Sequence, residues 1–201
     1  MSKRLFDIIF SLVVLLLLLP IFFLIGLSIK LTSRGPVFYL SKRIGKAGSE
    51  FVCVKFRTMY ANADARLQEM LKNDPQLRKE WETFWKLKRD PRTTWIGRAL
   101  RKTSLDELPQ FWNVLKGELS VVGPRPVTSE EVAKYYAERA EKILSVRPGI
   151  TGLWQTSGRS LLSFEERVRL EELYVDTRSF LLDLKLIAKT IPAMLFSSGA
   201  F

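Results

Sequence analysis

From Ile8 to Ile29 the chain runs 22 residues without a charge, and no other feature constrains its fold as strongly. As one helix, at about 1.5 Å per residue, this run would be roughly 33 Å long, enough to cross the hydrocarbon core of a bilayer. Left in water, it would expose a row of large apolar side chains, each gaining ~1.5–3 kcal/mol on burial. A cleaved signal peptide is the rival, because Lys3 and Arg4 resemble a charged leader. The apolar run is long for a leader, and no small-x-small cleavage site precedes Lys30. Pro20 stands just past the midpoint. Proline removes a backbone donor and permits a bend, yet membrane-crossing helices tolerate it. Lys3 and Arg4 flank one end, and Lys30, Arg34, Lys42 and Arg43 the other. Two geometries stay open: a helix that spans, and a re-entrant helix that bends and returns to the face it entered.

The remaining residues narrow the chemistry. The 201-residue chain carries a formal net charge of +11, which points to an anionic partner: nucleic acid, an anionic membrane or a phosphorylated substrate. It has no histidine, which removes His-based zinc sites, Ser-His-Asp triads and Cys-His dyads. Its one cysteine, Cys53, can form no intramolecular disulfide, which fits a reducing compartment. Catalysis must therefore use carboxylates, Lys, Arg, Ser, Thr or Tyr, and a metal would be a hard cation such as Mg²⁺.

Residues 35–59 read as a β-hairpin turning around Gly45 and Gly48. Alternation in its second run places Lys55 and Arg57 on one face and Val52, Val54 and Phe56 on the other. Residues 61–88 read as helix interrupted at Asp74-Pro75, with Trp81, Phe84, Trp85 and Leu87 suited to a core or a membrane interface. A basic stretch follows at 89–102. "SVVGPRP" reads as a short strand ending in a rigid Pro-Arg-Pro turn. A helix is expected over 128–143, a loop over 146–160, and two final helices, the last amphipathic. The expected fold is α+β and mostly helical. An N-terminal membrane-embedded helix (1–31) precedes one catalytic domain (32–201), which holds a small hairpin surrounded by amphipathic interfacial helices.

Just past the basic stretch, Asp106 and Glu107 stand side by side in "TSLDELPQFW". The structural reading is a helix start: Ser104-x-x-Glu107 matches a capping box, and acids suit the positive end of a helix dipole. Pro109 fits better if Asp106 is the cap. The functional reading takes the pair as nucleophile and Mg²⁺ ligands, held ionised by that helix start. Arg98, Arg101 and Arg125 lie near in sequence, and Arg147 and Arg159 further on. Guanidinium forks match phosphate oxygens, so this company suggests phosphate chemistry at a membrane surface.

Five segments carry a resemblance over nearly the whole length: "KRLFD" (3–7), "VKFRTM" (54–59), "RKTSLDELPQFWNVLKGELSVVGPRP" (101–126), "RPGITGLWQTSGR" (147–159) and "LLDLKLIAKTI" (181–191). The chain resembles the bacterial sugar transferases, the monotopic phosphoglycosyl transferases. The resemblance implies transfer of a sugar-1-phosphate from a UDP-sugar to a polyprenyl phosphate, usually undecaprenyl phosphate, with release of UMP. It casts Asp106 as the nucleophile and Glu107 as its acidic neighbour at a Mg²⁺ site. It ties Lys55, Arg101, Arg125 and Asp183 to substrate binding or site integrity, and Pro20 to the bend of a re-entrant helix. Arg57, Arg147 and Arg159 complete the candidate substrate-binding set. Two positions depart from the family pattern: Leu19 stands where Ser is usual, and Glu171 where Asp is usual; no catalytic role is assigned to Glu171. Stretches 87–126 and the terminal "SGAF" look most like members that start exopolysaccharide or O-antigen repeats with a hexose phosphate, so UDP-galactose or UDP-glucose is the expected donor. The expected location is the bacterial inner membrane, with the catalytic domain on the cytoplasmic face.

A membrane-anchored adaptor for nucleic acid or anionic lipid is the competing class. It accounts for the net charge and the apolar run but not for the acid pair, so no nucleic acid partner is expected. An enzyme transferring the phosphosugar directly, without a covalent intermediate, would share every motif. The sequence leaves the oligomeric state open, a homo-oligomer included.

Overall fold

The computed structural model describes residues 2–84, 87, 90–157 and 162–195. The apolar run does not form one straight helix. It makes α1 (Lys3–Leu17) and α2 (Leu19–Thr32), bent by 61°. The bend falls where a continuous helix would need a Pro20 N–H for the Leu16 carbonyl, a donor proline lacks. Among the described residues no single helix is long and apolar enough to cross a membrane, whereas the bent pair together has the length and composition.

The polar side chains of α1 face the rest of the protein, with Asp7 and Ser11 buried. Asp7 is buried and accepts hydrogen bonds from Ser120 Oγ at 2.9 Å and from the Val121 N–H at 3.0 Å. Arg4 donates to the carbonyls of Val114 and Leu115, and Lys3 pairs with Asp183. The outer side of the pair is apolar and bare. Leu16, Leu17, Leu19, Phe23 and Leu31 are each more than 60% exposed, far beyond what a soluble helix leaves uncovered.

Strands β1 (Phe38–Ile44) and β2 (Glu50–Phe56) form the expected antiparallel hairpin, with Tyr39 opposite Lys55 and Ser41 opposite Cys53. The alternation of Lys55 against Val52, Val54 and Phe56 holds, but neither face is buried throughout: Phe56 is buried on the Val52 side. Phe51 and Cys53 are buried on the Lys55 side, while Val52 on the other side is exposed. Helix α6 (Gln110–Lys116) decides this, because Asn113 reaches the outer edge of β2, accepting from Val54 N–H and donating to Val52 O. Arg57 lies beyond the end of the strand.

The break at Asp74-Pro75 separates α3 (Ala63–Asn73) from α4 (Pro75–Phe84); Asp74 Oδ1 accepts from the N–H groups of Gln76 and Leu77 and starts the second helix. Leu87 is buried and Trp81 lies under the Arg92 guanidinium, but the Phe84 side chain and Trp85 lie outside the described residues. Thr94 caps α5 (Trp95–Thr103). That helix sits so close to the exit of β2 that a Cβ on Gly97 would fall 1.9 Å from the Thr58 carbonyl oxygen.

The short strand expected in "SVVGPRP" forms, but the sequence reading missed its partner and so the second sheet. β3 (Ser120–Val122) pairs in parallel with β4 (Gly149–Thr151), inside the stretch expected to be loop. β4 is only three residues long, too short for periodicity to show. The helix expected over 128–143 is also broken. α7 (Ser129–Glu131) opens with a capping box, a π turn follows over Val132–Tyr136, and Ala137 takes φ 43° before α8 (Ala140–Leu144). The distortion turns Tyr136 inward, where its hydroxyl donates to the buried Glu171 carboxylate. The chain continues through α9 (Leu153–Thr156), α10 (Phe164–Thr177) and α11 (Phe180–Leu195). Ile25 and Ile29 of α2 share one core with Phe56, Leu100, Val114, Val122, Tyr174 and Leu186.

Candidate active site

The acid pair is presented by a turn rather than by a helix start. Ser104 takes a left-handed conformation (φ 55°, ψ 17°), ends α5 and caps nothing with its side chain. Asp106 and Glu107 sit in the 3₁₀ turn Leu105–Glu107, and α6 begins only after Pro109. Both capping readings therefore give way to a tight corner between two packed helices. A non-glycine residue at positive φ costs free energy and is retained where surroundings demand it, often at functional sites.

The corner opens into a cavity of about 600 Å³. One part is polar and charged, lined by Asp106, Glu107, Lys55, Arg101, Arg125 and Arg43. Another part is apolar, with Phe10, Val14 and Leu18 from the bent helix pair and Ile187 and Ile191 from α11. The hairpin supplies Lys55 from its buried face, α5 supplies Arg101 from its last turn, and the Pro124-Arg125-Pro126 turn after β3 supplies Arg125.

Lys55 Nζ pairs with Glu107 Oε1 at 2.6 Å, both half-buried. Arg101 Nε donates to Thr58 Oγ1 at 2.9 Å. Burial pushes the Asp106 carboxyl up to about 6, and the Glu107 charge pushes the same way; Lys55 and Arg101 oppose both. This corrects the expectation of a carboxylate held ionised by a helix start, because desolvation outweighs the backbone hydrogen bond. Near neutral pH Asp106 is still mostly ionised, but poorly solvated and beside a like charge. Burial also lowers the Arg101 guanidinium, an effect that Asp106 opposes.

Asp106 is buried beside the like charge of Glu107, and a divalent cation between the two carboxylates would relieve that repulsion. Among the described residues no cluster of three or more His, Cys, Asp or Glu exists. A Mg²⁺ at Asp106 and Glu107 would thus complete its oxygen shell with water and substrate phosphates, its usual arrangement with few protein carboxylates.

The bacterial sugar transferase family profile matches residues 1–197. The chain belongs to that family. It is accordingly an enzyme, a sugar transferase. It is 47% identical over 200 residues to the exopolysaccharide production protein ExoY of Sinorhizobium fredii, covering 100% of this chain and 88% of that one. It is 44% identical over 200 residues to the undecaprenyl-phosphate galactose phosphotransferase of Salmonella typhimurium, covering 99% of this chain but only 41% of that protein. It is 39% identical over 196 residues to the UDP-glucose:undecaprenyl-phosphate glucose-1-phosphate transferase of Klebsiella pneumoniae, covering 94% of this chain and 39% of the relative.

In this sugar transferase, the cavity gathers Lys55, Arg101, Asp106, Glu107 and Arg125 from the candidate set. Others lie elsewhere. Arg57 is buried and donates to the carbonyls of Ser33 and Arg34, closing the C-terminal end of α2. Arg147 donates to the Gly117 carbonyl at 2.7 Å. Asp183 is buried between Lys3 and Tyr174, tying α11 to α1 without lining the cavity. Arg159 lies outside the described residues. Pro20 marks the bend, next to Leu18 in the cavity wall.

The sequence reading did not pick out Tyr39, Ser41, Arg43, Thr58, Trp154 or Gln155 as site residues, yet all line the cavity. Tyr39, Ser41 and Arg43 share the strand face of Lys55 through the hairpin register, a signal that alternation across both strands contains. Trp154 has no local signal. Its ring lies under the guanidinium groups of Arg125 and Arg167, each 5.1 Å from the ring centroid. Arg167 is held in turn by Glu171 at 3.0 Å and Glu131 at 3.3 Å.

Proposed function

We propose that this enzyme moves a sugar-1-phosphate from UDP-galactose or UDP-glucose onto undecaprenyl phosphate and releases UMP, through a covalent intermediate on Asp106. The observation that carries the proposal is one cavity lined both by a carboxylate pair with four cations, Arg43, Lys55, Arg101 and Arg125, and by apolar side chains of the bent helix pair and α11. A water-soluble diphosphate and a lipid phosphate can thus reach one carboxylate in turn.

An Asp106 oxygen attacks the sugar-bearing β-phosphorus. The bond from that phosphorus to the bridging oxygen breaks, and UMP leaves with the electron pair. A phosphate oxygen of the lipid then attacks the same phosphorus, the bond to Asp106 breaks, and the carboxylate is restored. Lys55, Arg101 and Arg125 stabilise charge on the phosphate oxygens, and burial keeps those interactions strong. When bound at Asp106 and Glu107, Mg²⁺ supplies neutralisation of the diphosphate. Splitting the transfer lets two substrates of opposite solubility use one site.

The bare apolar surface of α1 and α2 and the basic residues at both flanks support a re-entrant insertion. Both ends would then lie on the cytoplasmic face of the inner membrane. The experiment is a UMP-release panel of UDP-galactose, UDP-glucose and UDP-N-acetylglucosamine, with undecaprenyl phosphate and Mg²⁺. Release with either hexose donor, and little with the acetamido sugar, is expected. Preference for the acetamido sugar contradicts the donor assignment, and no release from any donor contradicts the function.

A further inference from the structure

We propose that the Ser41 hydroxyl and the Trp154 indole N–H form the sugar-reading edge of the cavity, binding hydroxyl groups of the donor's hexose ring. This rests on the transferase reading above and adds residues that determine which sugar is accepted.

Both atoms are buried and lack a hydrogen-bond partner among the described residues. Both side chains line the cavity that holds Asp106. Buried polar groups in folded proteins are nearly always paired, and an unpaired one costs about 1–3 kcal/mol, so two beside one cavity call for an explanation. The indole cannot readily turn to find an acceptor of its own. Arg125 and Arg167 both stack on its ring at 5.1 Å, and Arg167 is itself fixed by Glu171 and Glu131. The ring plane is therefore set, and its buried N–H stays without a partner among the described residues.

The chemistry of the two groups selects the ligand. Lys55, Arg101 and Arg125 already provide the cations a diphosphate requires. An indole N–H only donates, and a serine hydroxyl both donates and accepts; neither carries charge. Together they suit neutral hydroxyls. Their position selects the sugar rather than the base. Ser41 faces Cys53 in the hairpin, diagonal to Lys55, whose ammonium is bonded to Glu107 beside the nucleophile. The sugar hangs on the phosphorus that Asp106 attacks, whereas the uracil lies beyond the second phosphate and the ribose. A site built to hydrogen-bond a hydroxyl rejects an analogue lacking it far better than an apolar pocket rejects an extra group.

The test uses the full-length enzyme in detergent or lipid nanodiscs with Ser41→Ala and Trp154→Phe. The second change keeps an aromatic platform for both arginines and removes only the N–H. UMP release is measured as kcat/KM for UDP-galactose, UDP-glucose and their singly deoxygenated hexose analogues, with the inhibition constant of UMP measured alongside. Each variant should lose about 10–100-fold in kcat/KM for the preferred donor. One deoxy donor should be as poor with wild type as the parent is with the variant, and should lose nothing further in that variant. The UMP inhibition constant should stay within about twofold, an effect of only a few tenths of a kcal/mol. If both variants match wild type on every donor while wild type releases UMP normally, the sugar edge is wrong and the transferase reading stands. Equal weakening of UMP and donor would overturn it too, by placing these groups on the nucleotide. If wild type releases UMP from no UDP-sugar, the transferase reading falls, and the sugar edge with it.

Discussion

Two groups of acids in this molecule are treated in opposite ways. Asp7, Asp183 and Glu171 are all at least 97% buried, and each is closed off by hydrogen bonds. Asp7 accepts from Ser120 and Val121, Asp183 from Lys3 and Tyr174, and Glu171 from Arg167 and Tyr136. Asp106 and Glu107 are only partly buried, face an open cavity and crowd each other, and desolvation lifts Asp106 to about 6. The first group holds elements together: α1 to β3, α1 to α11, and the Val132–Tyr136 turn to α10. The second faces a cavity where a substrate can arrive, with Glu107 paired to Lys55 and Asp106 crowded by the Glu107 charge. A buried acid closed off by hydrogen bonds marks architecture, and one whose carboxyl is lifted by burial beside a cavity marks chemistry.

The sharpest way to break this contrast is to neutralise one acid from each group. Asp106→Asn should abolish UMP formation, a loss of about 10⁴-fold or more as for a deleted nucleophile. It should leave the fold intact and even firmer at neutral pH. The sign follows from the raised carboxyl. Its stabilising contribution is fully present below the unfolded value and is lost as pH rises through about 6, and Asn removes that loss. Thermal unfolding across pH 4–8 checks it: the variant should show a flatter profile over this range than wild type. A collapse of folding in Asp106→Asn would contradict the account.

Arg125→Ala should lower turnover about 10²–10³-fold, as for a preorganised donor at a developing charge. Lysine should restore little, since it lacks the planar fork that fits phosphate and lies over Trp154. Near-normal turnover in Arg125→Lys would argue against that fork. Glu171→Gln should do the reverse of Asp106→Asn. It uncouples a buried ion pair, so denaturant unfolding should report a loss of about 3–5 kcal/mol. Turnover per folded molecule should fall far less than in the Arg125 variant.

A smaller effect refines the electrostatics. The acid limb of kcat/KM for UMP release should follow Asp106, with activity falling as pH drops through about 6. Glu107→Gln removes a like charge and should move the limb to lower pH, whereas Lys55→Met removes an opposing charge and should move it to higher pH. Movement of both variants in one direction would mean that another group sets the limb.

How much of this was legible in the sequence depends on distance. The bend at Pro20, the hairpin and the break at Asp74-Pro75 each rest on a local signal, and each formed. The β3–β4 pairing joins two three-residue strands more than two dozen residues apart, and nothing local announces it. Arg57 shared a predicted face with Lys55, but β2 ends at Phe56 and the chain turns Arg57 toward α2. Nothing near Asp183 in sequence shows that it is buried and paired, because its partner Lys3 lies 180 residues away. The acid pair was visible as a pair, and its arginine company pointed to phosphate. Its actual setting, a strained corner where burial governs Asp106, depends on packing that no window of sequence contains.

The central claim is that Asp106 carries the phosphosugar. Intact-protein mass spectrometry after mixing enzyme, UDP-sugar and Mg²⁺ without lipid acceptor tests it most directly. The wild type should gain the mass of one hexose-phosphate, mapped by proteolysis to Asp106, and lose it when undecaprenyl phosphate is added. Asp106→Asn should gain nothing. If wild type forms no adduct, and UMP appears only when both substrates are bound together, the phosphosugar passes directly between substrates and the covalent account is wrong.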